Sequence, residues 1–70
     1  MKLIRNLKEL KKGDTVIIKD HANFSKLGYE RVVGDVFSIE IGKPIFTIKC
    51  KETNSFEKVS IENGQIFLIG

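Results

Sequence analysis

Hydrophobic positions along this chain change their spacing once. Leu3, Ile4, Leu7 and Leu10 recur at helical intervals, so residues 2–11 are expected to hold a turn or short helix. So short a helix is marginal alone, which makes the segment a lead-in whose leucines plug one end of the domain. After the turn signal Lys12-Gly13-Asp14 the pattern becomes that of β-structure. Thr15-Val16-Ile17-Ile18-Lys19 is a short β-branched strand. Residues 20–30 keep no period and read as a long loop. Arg31 to Ile41 is a longer strand in which Phe37, Ile39 and Ile41 alternate, while Val32 and Val33 fall out of that phase. Gly34 at the break predicts a bulge or sharp bend, which lets one strand serve both halves of a barrel.

Gly42-Lys43-Pro44 turns the chain into a strand from Ile45 to Glu52, with Phe46, Ile48 and Cys50 on one face and Thr47, Lys49 and Lys51 on the other. Thr53-Asn54-Ser55 connects to a fourth strand, Phe56 to Ile61, with Val59 and Ile61 inward. Glu62-Asn63-Gly64-Gln65 is a tight turn suited to positive φ, and Ile66-Phe67-Leu68-Ile69 is a fully apolar last strand. Short strands with regular turns argue for a small barrel or sandwich. A long first connection, two short hairpins and a tight turn before a short last strand match an all-β, five-stranded SH3-like barrel. Residues 1–70 are expected to form one domain, 1–12 as the lead-in and 13–70 as the barrel. Closing the sheet removes exposed edges, which a small β domain needs.

Leu7-Lys8-Glu9-Leu10-Lys11-Lys12-Gly13-Asp14-Thr15-Val16-Ile17-Ile18 resembles the opening of many bacterial and phage SH3-like barrels, KOW-type domains among them. Gly34-Asp35-Val36-Phe37-Ser38-Ile39 is similar to their second strand. The resemblance spans most of residues 7–69 as a pattern of strands and turns. It implies the fold and leaves function to the residues of the site. Abundant Lys and Ile fit an AT-rich bacterial or phage genome.

A 70-residue chain has a thin core, so the fold rests on hydrophobic packing or partly on self-association. Cys50 is the one cysteine and His21 the one histidine, too few for an internal disulfide or a tetrahedral zinc site. The cysteine-poor composition, the lack of an apolar run near about 18 residues and the lack of a signal-like start predict a cytoplasmic protein off the membrane. Twelve basic residues, ten of them Lys, against nine acidic give a net charge of +3, which permits nucleic acid without demanding it.

Chemistry for catalysis is scarce. Cys50 alternates with inward Phe46 and Ile48, and is expected in the core rather than as a nucleophile. His21 is expected to be a solvated loop residue. Asp14, Asp20, Glu30, Asp35 and Glu40 are spread without a pairing suited to acid–base work. A thin core is expected to leave no room for a substrate cavity of roughly 300–1,000 Å³. No enzyme, cofactor, metal or small-molecule substrate is therefore expected. Two binding surfaces remain. The long loop sets His21, Asn23, Phe24, Lys26, Tyr29 and Arg31 together, a mixture suited to a protein interface. The same loop has a plainer reading, in which Phe24, Leu27 and Tyr29 fold it back onto the barrel. Lys49, Lys51 and Lys58, with Arg31, form a second candidate, a basic stripe for RNA or DNA backbone. Its plainer reading is a solvated face whose lysines protect a strand edge, since Glu52 and Glu57 nearby dilute the charge. Modest, mixed charge favours the first: a non-catalytic protein-interaction module, an adaptor or a small phage or mobile-element inhibitor. The alternative is a KOW-like nucleic-acid-binding domain.

Overall fold

The computed structural model describes residues 1–40 and 42–69. Six strands form one antiparallel sheet: β1 (Lys2–Leu3), β2 (Thr15–Lys19), β3 (Arg31–Ile39), β4 (Ile45–Cys50), β5 (Ser55–Ser60) and β6 (Gln65–Leu68). Their spatial order is β1-β6-β2-β3-β4-β5. A 3₁₀ turn at Leu7–Glu9 and a single helical turn, α1 (Ala22–Ser25), complete the regular elements of the described residues. The all-β expectation holds, and the lead-in adds a sixth strand, Lys2 and Leu3 pairing with Leu68 and Phe67. The expected closure is corrected: β1 and β5 end the sheet, and no ladder joins them among the described residues. No helix among the described residues is long and apolar enough to cross a membrane.

The sheet bends across β3. Arg31 to Asp35 pair with β2, and Gly34 to Ile39 pair with β4, so Gly34 and Asp35 stand in both ladders. Inward side chains of the two halves then meet in one core, with Val16, Ile18, Val32 and Ile66 beside Phe46, Ile48, Cys50 and Val59. Gly34 sits where the halves approach. A Cβ there would lie 2.7 Å from Ile48 Cδ1 and 2.9 Å from the Lys49 carbonyl oxygen. The residue is glycine for close approach, and the bulge expected at it lies further on. Val36 pairs with Ile48 and Ser38 with Thr47, leaving Phe37 as the extra residue. This insertion changes the phase, from Val32, Gly34 and Val36 inward to Ile39 packed on the core. Ile41, the end of the expected strand, lies outside the described residues.

Ile4 and Leu10 of the lead-in are buried, and Leu7 packs on the core. A capping box fixes the 3₁₀ turn: Asn6 Oδ1 accepts from the Lys8 N–H at 2.9 Å, and Glu9 Oε2 from the Asn6 N–H at 3.0 Å. Lys2 Nζ lies 2.9 Å from Glu9 Oε1. These donors, Lys2 first and then the Arg5 N–H, hold the Glu9 carboxyl down to about 2. Positive φ occurs at Asp20 and Asn54 among the described non-glycine residues, and not in the Asn63-Gly64 turn where it was expected. Gly64 has another reason: its Cβ would stand 2.7 Å from His21 Cα.

Candidate functional site

The loop between β2 and β3 is fastened down. His21 is 1% exposed. It caps α1, its Nδ1 accepting from the Asn23 N–H at 3.3 Å, while Nε2 lies 3.2 Å from the Ser60 carbonyl oxygen. A carbonyl only accepts and an amide N–H only donates, so the ring is the neutral Nε2–H tautomer. Burial pushes its pKa below the ordinary 6.5, against the opposing pull of the Ser60 carbonyl. The expectation of a solvated His21 is corrected: the α1 cap and the close-packed Gly64 turn draw it inside. Phe24 is buried against it, ring centroids 5.4 Å apart, and Tyr29 packs partly on the core. The plainer reading of the loop therefore fits Phe24 and Tyr29 but not Leu27, which is 62% exposed. Of the six loop side chains singled out, Asn23, Lys26 and Arg31 alone are fully on the surface.

A different cluster forms on the outer face of β3, β4 and β5. The bulge turns Phe37 outward, and its ring meets Phe56 at a centroid distance of 4.7 Å and a tilt of 58°. Phe56 pairs with Lys49 in the β4–β5 ladder. Both rings keep much of their surface in water, 50% for Phe37 and 56% for Phe56. Lys12 Nζ stands 5.6 Å from the centre of Phe37, and Lys49 Nζ stands 4.9 Å from that of Phe56. Lys49 Nζ also donates to the Asn54 carbonyl at 3.3 Å. The turn before β2, the bulged strand and the β4–β5 hairpin thus converge on one surface.

The basic stripe partly joins this cluster. Lys58 pairs with Thr47, next to the Lys49–Phe56 pair two residues along β5, so the two lysines share a face. Its Nζ lies 3.8 Å from Glu40 Oε2, and Lys43 shares that carboxylate at 4.0 Å. Lys51 is exposed in the turn after β4. Arg31 stands apart, opposite Lys19 in the β2–β3 ladder. Two acids expected to dilute the stripe are turned elsewhere. Glu57 pairs with Ile48 on the opposite face and accepts from the Ser55 and Thr53 hydroxyls at 2.6 and 3.1 Å. Glu52 Oε1 accepts from the Val33 N–H at 2.9 Å.

An open groove of about 430 Å³, larger than a thin core led us to expect, runs beside Leu7, Leu10, Ile39 and Glu40. It is mostly apolar, and its carboxylate, Glu40, is the one held by Lys43 and Lys58. Among the described residues no group of three or more His, Cys, Asp or Glu converges as a metal would require. Cys50 is fully buried. Alternation alone does not set Phe37 apart from the core, since in sequence it keeps the phase of Ile39 and Ile41. The parity of Phe56 with outward Lys58 was the available signal. No family model, curated protein or solved structure matches this chain.

Proposed function

We propose that this domain is a non-catalytic binding module that takes single-stranded nucleic acid on the Phe37–Phe56 face. One observation carries the reading: two adjacent half-exposed phenyl rings, each attended by a lysine ammonium, on the surface of a sheet. Bases stack on such rings with little regard to sequence, at about 1–3 kcal/mol per base. Lys12, Lys49 and Lys58 are then within reach of the phosphates, and Lys51 extends the same side. The fold we read as an SH3-like arrangement left open between β1 and β5. The order β6-β2-β3-β4-β5, the long β3 shared by both halves and the short turn before β6 support it.

The test is fluorescence anisotropy with short mixed-sequence RNA and DNA, single-stranded and duplex, at 50 and 200 mM salt. Three lysine contacts on a single strand give a salt slope near −2, a loss of about 20-fold between those salts. Phe37→Ala or Phe56→Ala weakens single-strand binding by about tenfold or more. No binding of any oligomer at about 100 µM protein in the lower salt, where even non-specific binders register, refutes the reading.

A second reading keeps a protein partner, and exposed Leu27 beside Asn23 and Lys26 favours it. Binding of that kind changes little with salt and survives the loss of Phe37 and Phe56. Leu27→Ala would then cost about 2 kcal/mol if it anchors the contact.

A further inference from the structure

We infer that the outer face of β1, β6, β2 and β3 is a self-association surface that takes a second copy of this chain. The ladders align four apolar residues in one row across four strands: Leu3 with Phe67, Phe67 with Ile17, and Ile17 with Val33. Each lies beside a core residue of its own strand in β2, β3 and β6, so its side chain points to the opposite face. None belongs to the core or packs against it, although all four are half-buried. Their strands read Val16-Ile17-Ile18, Val32-Val33 and Ile66-Phe67-Leu68, apolar on both sides. Such runs are the mark of strands covered on both faces, and the chain itself covers one.

Charge on the two flanks of the row, along β2 and β3, selects the cover. On one side Lys19 and Arg31 stand directly opposite each other, a like-charge pair that costs stability and has no acidic partner among the described residues. On the other side Thr15 pairs with Asp35, whose Oδ1 accepts from the Thr15 hydroxyl at 2.7 Å. A two-fold axis along the row sets the Lys19–Arg31 end of one copy over the Thr15–Asp35 end of the other. Arg31 and Asp35 are both on β3, so the operation brings each Arg31 to the partner's Asp35, twice per dimer. The packing is isologous, so the contact closes at two copies.

The experiment is sedimentation equilibrium from about 5 to 500 µM, the range in which a modest dimer dissociates. A monomer–dimer equilibrium is expected, and a monomer throughout overturns the proposal. Ile17→Lys is expected to leave a monomer, with its fold checked by far-UV circular dichroism. Should that variant unfold, the exposed Arg31→Glu serves instead and weakens the dimer by about tenfold or more. Combining Arg31→Glu with Asp35→Lys restores it, since the swap re-forms both pairs. A dimer indifferent to Arg31→Glu, or one the double swap fails to restore, overturns the geometry. Phe37 lies two residues from Asp35 on the outer side of β3, and Phe56 lies beyond Lys49 in the row of Asp35, but neither belongs to the apolar row or to the Arg31–Asp35 pairs. Phe37→Ala therefore leaves the dimer intact whatever it does to nucleic acid.

Discussion

Gly34→Ala tests the bent sheet at its tightest point. A methyl added to a glycine with room for it stabilises by roughly 0.4–1 kcal/mol, by stiffening the unfolded chain. At position 34 there is no room: the new Cβ meets Ile48 Cδ1 at 2.7 Å, the Lys49 carbonyl oxygen at 2.9 Å and Ile48 Cβ at 3.2 Å. Ile48 is itself fully buried and cannot swing away, and the carbonyl is backbone. Overpacking of this kind costs roughly 1–3 kcal/mol, so it outweighs the entropic gain. The net loss is about 1–2 kcal/mol, which in a domain of this size lowers Tm by roughly 5–15 °C. Ile48→Val removes Cδ1 and leaves the carbonyl, so it recovers part of the loss. Thermal and urea denaturation of the two single variants and the double variant measure this as a coupling of about 0.5 kcal/mol or more. A Gly34→Ala protein as stable as the parent, or no coupling to Ile48, would refute the close approach.

Three further outcomes follow from particular side chains. Folded His21 stays neutral below 6.5 while the unfolded chain takes up a proton there. Stability is therefore complete above that pH and declines as pH falls from 6.5 to the lower folded value; equal urea midpoints at about pH 7.5 and 5.5 would contradict it. Glu9 acts in a separate window, its contribution lost between 4.5 and about 2, so Glu9→Gln flattens acid sensitivity there without touching the His21 step. Cys50 reacts with a thiol reagent slowly in buffer and rapidly in denaturant, and equal rates would place it off the inner face.

Much of the fold was legible because β-strands report their faces by parity. Phe46, Ile48 and Cys50 needed only alternation to be assigned inward, and the structure buries all three. Parity fails where a residue is inserted. Glycine marked the phase break in β3, yet Gly34 keeps its regular pairs and Phe37 is the extra residue. Local sequence cannot separate a glycine needed for a bulge from one needed for close approach, since the approaching atoms come from β4. His21 was misread for the same reason, because its partners Ser60 and Gly64 are distant in the chain. Closure was inferred from connection lengths, which fix the order of strands and not whether the last edges meet. The candidate site was the least legible, since it joins Lys12, Phe37, Lys49 and Phe56 across three segments.

The bulge also sets how this domain can change. Val36 and Ile39 face inward on either side of two consecutive outward residues, Phe37 and Ser38. A chain lacking Phe37 would run Val36, Ser38, Ile39 in plain alternation, with its interior contacts still in phase. The outward aromatic is thus a one-codon addition to a ladder that is complete without it. Gain or loss of that residue acts on the exterior alone, so recognition can be acquired, altered or discarded by single insertions while the interior keeps its packing. Most surface features of so small a domain lack that independence, because a change of register elsewhere would turn the core inside out.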